Sequence, residues 1–283
     1  MHLNFNFTAV QVLWTLTFAG LLVLMVVLLG RDRVRHFPWF TGSIVLAALR
    51  LLAARLLFGR MSEITLSTIF ITMGDLSTVV GLMVVLEMAL NAFSTAKRLL
   101  WIVWPPILVA MAAGLLAVWG PWPAWKTLTA DSALASLRLM QLVAQKGDLL
   151  LNVLTVGLGL LVVIFGSRFK AGWRSHVQQI AIGLSTAAIA QLAVQGVWQL
   201  IALKAMPHNE AEYERILGLR DKLFNANSAV FVAVLVWWIA CLWLDEPGAA
   251  SETPVEIPSD VAAQDAAQET NPDETNPEPE NGQ

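Results

Sequence analysis

Apolar residues along the chain fall into seven runs separated by short charged connections, at about 9–30, 38–59, 66–92, 99–119, 148–166, 177–203 and 223–244. Each has about the 20 residues that a helix rising ~1.5 Å per residue needs to cross ~30 Å of hydrocarbon. Backbone polar groups find no water in lipid, so runs of this length must be helical. The pattern predicts an all-α polytopic membrane protein, a seven-transmembrane-helix bundle over residues 1–246.

The flanks refine this picture. Residues 1–8 carry no Lys or Arg, and the apolar run after them is long, so the expectation is a retained first helix rather than a cleaved signal peptide. Pro121 and Pro123 interrupt the chain after the fourth run, and residues 131–146 are amphipathic, with Asp131 as N-cap. This segment either lies on the membrane surface or runs straight into the fifth helix, depending on Gly147. Asn209 followed by Glu212 has capping-box-like spacing and predicts a short helix through Arg220 before the seventh run. The sixth run is rich in small residues, among them Ala181, Gly183, Ser185 and Ala188, which suits a central position in the bundle.

Charge sets the expected orientation. Arg31, Arg33 and Arg35 occupy the first connection, Lys97 and Arg98 the third, and Arg168, Lys170 and Arg174 the fifth. Positive connections stay cytoplasmic, which puts the N-terminus outside and the C-terminus inside. Trp39, Trp101, Trp104, Trp173 and Trp243 fall at the same inner ends, where an indole finds both apolar and polar surroundings.

Composition agrees with the pattern. Of 283 residues, 57% are hydrophobic and 14% charged, against about a quarter charged in soluble domains. The net charge of -3 averages two regions, because every Lys and Arg precedes residue 223 whereas the stretch from Asp245 onward is purely acidic. Residues 247–283, rich in Pro, Glu, Asp and Asn and free of aromatics, read as a disordered acidic cytoplasmic tail. Without a basic patch beyond the juxtamembrane clusters, nucleic acid is excluded as the expected partner. The expected surroundings are a lipid bilayer, in a multi-pass cell-membrane protein of the bacterial inner-membrane kind.

The candidate site comes from polar residues placed where hydrocarbon should be. From the run boundaries, Arg50 lies ~18 Å above the inner face and Asp75 ~14 Å below the outer one, nearly level in a ~30 Å core. An ion pair between them is expected, since each charge alone would be costly there. Glu87 is expected near the inner interface, within reach of Arg31, Arg33 or Arg35. Asn152 and Asp148 in the fifth run, Asn225 and Asn227 in the seventh, and the stripe Gln191, Gln195 and Gln199 in the sixth share the outer half. Arg50, Asp75, Gln191, Gln195, Asn152 and Asn225 are the candidate ligand-binding set, with interhelical hydrogen bonding as the plainer reading of the amides.

Catalytic chemistry has no constellation to stand on. His2, His36, His176 and His208 lie at ends or in connections, no His-Glu-x-x-His spacing occurs, and Asp75 is expected to lack a second deep aspartate. Neither an enzyme nor a cofactor is expected. The single Cys241 excludes an internal disulfide.

In layout alone the chain resembles stand-alone bacterial seven-helix sensors and the membrane domains of some sensor kinases. It also resembles, through Leu-x-Gly-Arg at 28–31 and Ile-Phe-Gly-Ser-Arg at 164–168, sugar-efflux carriers built from triple-helix repeats, although the Pro-Gln pair of those carriers is missing. The sequence expectation is a small-ligand sensor or receptor-like component that signals through a separate cytoplasmic partner. A secondary transporter using the same cavity, with Asp75 as proton carrier, and a purely structural subunit are the alternatives.

Overall fold

The computed structural model describes residues 8–57, 59–92, 109, 112, 133–165, 175–204 and 209–244. Six long helices account for nearly all of them: α1 (Ala9–Gly30), α2 (Pro38–Leu57), α3 (Glu63–Ala92), α4 (Ala133–Phe165), α5 (His176–Lys204) and α6 (Glu210–Trp243). All six are long and apolar enough to cross a membrane, the architecture of an α-helical membrane protein. Apolar side chains cover their outward faces as well, with Val26, Leu29, Leu160, Leu200 and Val236 all exposed. A surface of that kind is stable in lipid and not in water.

One open alternative is decided and one expectation changes. The amphipathic stretch and the fifth run form one helix, α4, of 33 residues. Gly147 does not break it, because its missing side chain makes room for Thr78 of α3: an added Cβ would sit 3.0 Å from Thr78 Cγ2. Likewise, the short helix after Asn209 and the seventh run are one helix, α6, of 34 residues. Asn209 does cap it, its side chain accepting from Glu212 N at 2.9 Å. The charged first turns of α6 therefore extend a spanning helix and do not form a separate element. The fourth expected run, 99–119, and the tail 247–283 lie outside the described residues, apart from Val109 and Ala112, which are helical.

The helices form a ring in chain order, α1 to α6, closed by α6 packing on α1, with α5 also touching α3 across it. Call the end at which α1 begins the near end and the other the far end. Thr78 meets Gly147 and Asp148, and Gly81 meets Leu151, so the indices of α3 and α4 rise together and these helices are parallel. The α1–α6 pair is also parallel, with Gly20 against Leu235 and Arg31 over the Trp243 ring at 5.6 Å. By contrast α5 and α6 are antiparallel, with Gln191 bonded to Asn227, Gly183 against Trp238 and Cys241 beside Gln179.

Packing is concentrated in the far half. Leu24, Leu28, Phe40, Met88, Ile180, Trp238 and Leu242 are fully buried there. The Phe40 and Trp238 rings meet edge to face, centroids 5.1 Å apart, a geometry that adds to their burial. Helices approach closely where glycine permits it: Gly159 of α4 lies against Ser185, whose hydroxyl donates to the Thr155 carbonyl of α4 at 2.9 Å.

Glu87, expected beside the arginines of the first connection, does something else. Its carboxylate oxygens accept from Trp39 N at 3.1 Å and Phe40 N at 2.9 Å. These are first-turn N–H groups of α2, which have no partner within their own helix. Pro38 at the first position has no N–H to satisfy, so the carboxylate of α3 caps what remains and meets the positive end of the α2 dipole.

Candidate functional site: a near-end cavity

With the far half filled, space remains in the near half. A cavity of about 720 Å³ opens between α1, α2, α3, α5 and α6, within the size range of small-molecule sites. Its polar lining includes Arg50 of α2, Gln191 of α5, and Asn225, Asn227 and Ser228 of α6. Trp14 of α1, Phe70 of α3 and Phe231 of α6 supply aromatic wall.

Three of the six candidate residues, Arg50, Gln191 and Asn225, are thus brought to one cavity. Gln191 is held by Asn227, whose Nδ2 donates to Gln191 Oε1 at 3.3 Å. The other three stand apart: Asp75, Gln195 and Asn152 are half-buried and do not line it. Helix geometry separates the glutamines. Each four-residue step adds ~40° of drift, and Gln199, two steps on, is exposed.

The expected Arg50–Asp75 ion pair does not form among the described residues. Asp75 and Thr78 share a face of α3, three residues apart, and that face packs on α4. Thr78 Oγ1 donates to Asp148 Oδ1 at 2.9 Å while also reaching the Gly74 carbonyl at 3.2 Å. Asp148, placed by the sequence at a helix end, is therefore in mid-helix and interhelical. Both Arg50 and Asp75 are near enough to Asp148 to act on its charge. Arg50 itself is exposed to the cavity.

A second cavity, about 590 Å³, lies at the near end and shares Val10, Asn225 and Ser228 with the first. Its own lining adds Trp198, Arg220, Asp221 and Phe224. The sequence singled out neither Ser228 nor Val10; the only available signal is that Ser228 lies one turn from Asn225. Among the described residues no group of His, Cys, Asp and Glu is arranged to hold a metal ion.

No known protein family matches the chain, and neither a curated protein nor a solved structure is similar to it. The functional reading therefore rests on the geometry above.

Proposed function

We propose that the chain is a small-ligand receptor of a cell membrane, binding its ligand in the near-end cavity and signalling through a separate cytoplasmic partner. The observation that carries this reading is the convergence of one arginine and three amides on a cavity of about 720 Å³ above a tightly packed far half. A ligand there touches five helices at once, so its binding energy bears directly on how they pack.

In this proposal the chain crosses the membrane seven times, near end outside. The parallel run of α3 and α4 supports it: between Ala92 and Ala133 the chain has to return across the bilayer, and the apolar run 99–119 is long enough to do so. The arginines at 31, 33 and 35 join α1 to α2 at the far end, which supports a cytoplasmic far end. The acidic stretch 245–283 would then be cytoplasmic and free to meet a partner.

One observation favours a second reading, a secondary transporter. Arg50 and Asp75 both act on the charge of Asp148, and two carboxylates that feel each other have a place for a proton. Vesicle uptake driven by a pH gradient decides between the two.

The receptor reading is tested by a thermal-stability screen of the purified protein against small metabolites, run beside Arg50→Gln. At least one compound is expected to raise the melting temperature of the parent by several degrees and that of the variant by much less, as linkage requires of a ligand bound only to the folded state. A screen in which every stabilising compound acts equally on both proteins contradicts a site at Arg50.

A further inference from the structure

We infer that the near-end cavity takes a small organic monoanion with an apolar body, its anionic group on Arg50, admitted through the neck formed by Val10, Asn225 and Ser228. This rests on the receptor reading and names its ligand class and route.

Among the described lining residues, Arg50 is the only charged one, and no described carboxylate lies within ion-pair distance of it. A guanidinium facing a largely apolar wall with no carboxylate at ion-pair distance is costly, and an anion relieves that cost. Its planar fork of donors matches a carboxylate in a bidentate pair. The Asn225 amide makes no hydrogen bond among the described residues and supplies a second contact, whereas the Gln191 oxygen already accepts from Asn227.

Most of the rest of the wall is apolar, with Trp14, Phe70 and Phe231 among its residues. A volume of about 720 Å³ far exceeds what an inorganic anion fills, so the occupant brings an apolar body to that wall. The second cavity shares Val10 of α1 and one turn of α6, Asn225 and Ser228, with the first. Arg220 lines that outer chamber, its guanidinium 3.5 Å from Asp221. An anion thus passes from one arginine to the other through the neck.

The surrounding charges give the inference a sign. Asp148 acts electrostatically on Arg50 from outside the lining, so it weakens the hold of Arg50 on any anion. Asp148→Asn removes the charge and keeps an oxygen for Thr78 to donate to.

The test is equilibrium binding to the purified full-length protein, with phenylacetate as the anionic probe and phenylacetamide as its neutral counterpart. Phenylacetate is expected to bind saturably and about tenfold or more tighter than phenylacetamide, the difference coming from a charge-assisted pair in a low dielectric. Arg50→Gln should erase the difference. Asp148→Asn should tighten phenylacetate by roughly three- to tenfold and leave phenylacetamide unchanged. If Arg50→Gln does not fold, Arg50→Lys serves: it keeps the charge without the fork and should retain a reduced preference for the anion.

Equal binding of the two probes overturns the anion class but leaves a ligand-binding cavity. Binding of neither probe overturns it too, and the metabolite screen then decides separately whether the cavity binds anything.

Discussion

Glu87→Leu is expected to be the most destabilising single change in the far half, costing about 3–5 kcal/mol from the loss of two charge-assisted hydrogen bonds. The glutamate is 8% exposed and receives the amides of Trp39 and Phe40 from 48 and 47 residues away. In water, freed first-turn amides would bond solvent. In a packed helix interface they have nothing comparable, so leucine leaves the buried Phe40 amide and the part-buried Trp39 amide without their acceptor. Glu87→Gln keeps one carbonyl acceptor but points an NH2 group at the second amide, and about half the loss is expected. For a chain of this size the leucine change corresponds to roughly 10 °C in melting temperature. Thermal unfolding in one fixed detergent reads it, and a shift of only a degree or two would mean that α2 does not depend on this cap.

Gly159→Val is expected to come next, at about 3 kcal/mol, the upper range for forcing extra volume into a packed site. The first added carbon overlaps the Ser185 side chain, so α4 and α5 must separate. Separation also breaks the bond from Ser185 Oγ to the Thr155 carbonyl, while its bond to Ala181 O, 2.8 Å, lies within α5 and survives. A reciprocal change identifies the cause. Gly159→Ala alone should destabilise, and Gly159→Ala combined with Ser185→Gly should recover most of the loss, because the second change returns the space. If the double variant is simply the sum of its parts, close helix approach is not what Gly159 provides.

How much of this is legible in the sequence depends on the physical quantity asked for. Helix existence follows from length and hydropathy, and the starts of α1 and α2 at Ala9 and Pro38 match the sequence boundaries. The starts of α4 and α6 do not. Lys146, Asp148 and the charges from Glu210 to Lys222 mark where apolar character begins, and the helices continue past that point because backbone bonding does not stop at the edge of the hydrocarbon.

Rotation about the helix axis is harder to read than depth. The run boundaries put Asp75 and Arg50 at similar expected depths, which suggests a pair, but a residue two positions away on a helix points ~200° around. Ser77 of α3 lines the cavity, so Asp75, two residues earlier, is turned from it, toward the face that bears Thr78 and packs on α4. The arginine remains on the cavity wall, and the aspartate turns to the α4 side. A helical wheel anchored on Phe70 and Ser77, seven residues apart and both in the lining, would have found this.

The capping role of Glu87 could not have been read. Its partners are main-chain amides of another helix, which leave no mark on side-chain patterning.

The central claim is a near-end cavity that is open to the outside and carries the charge of Arg50. The most direct measurement places one cysteine in its wall, Ser77→Cys in a Cys241→Ala background. Modification by membrane-impermeant methanethiosulfonates is then followed from outside intact cells. The account predicts labelling from outside, faster for a sulfonate-bearing reagent than for a trimethylammonium one, with the preference lost in Arg50→Gln. A Ser77→Cys thiol that no external reagent reaches, or that prefers the cationic one, would contradict it.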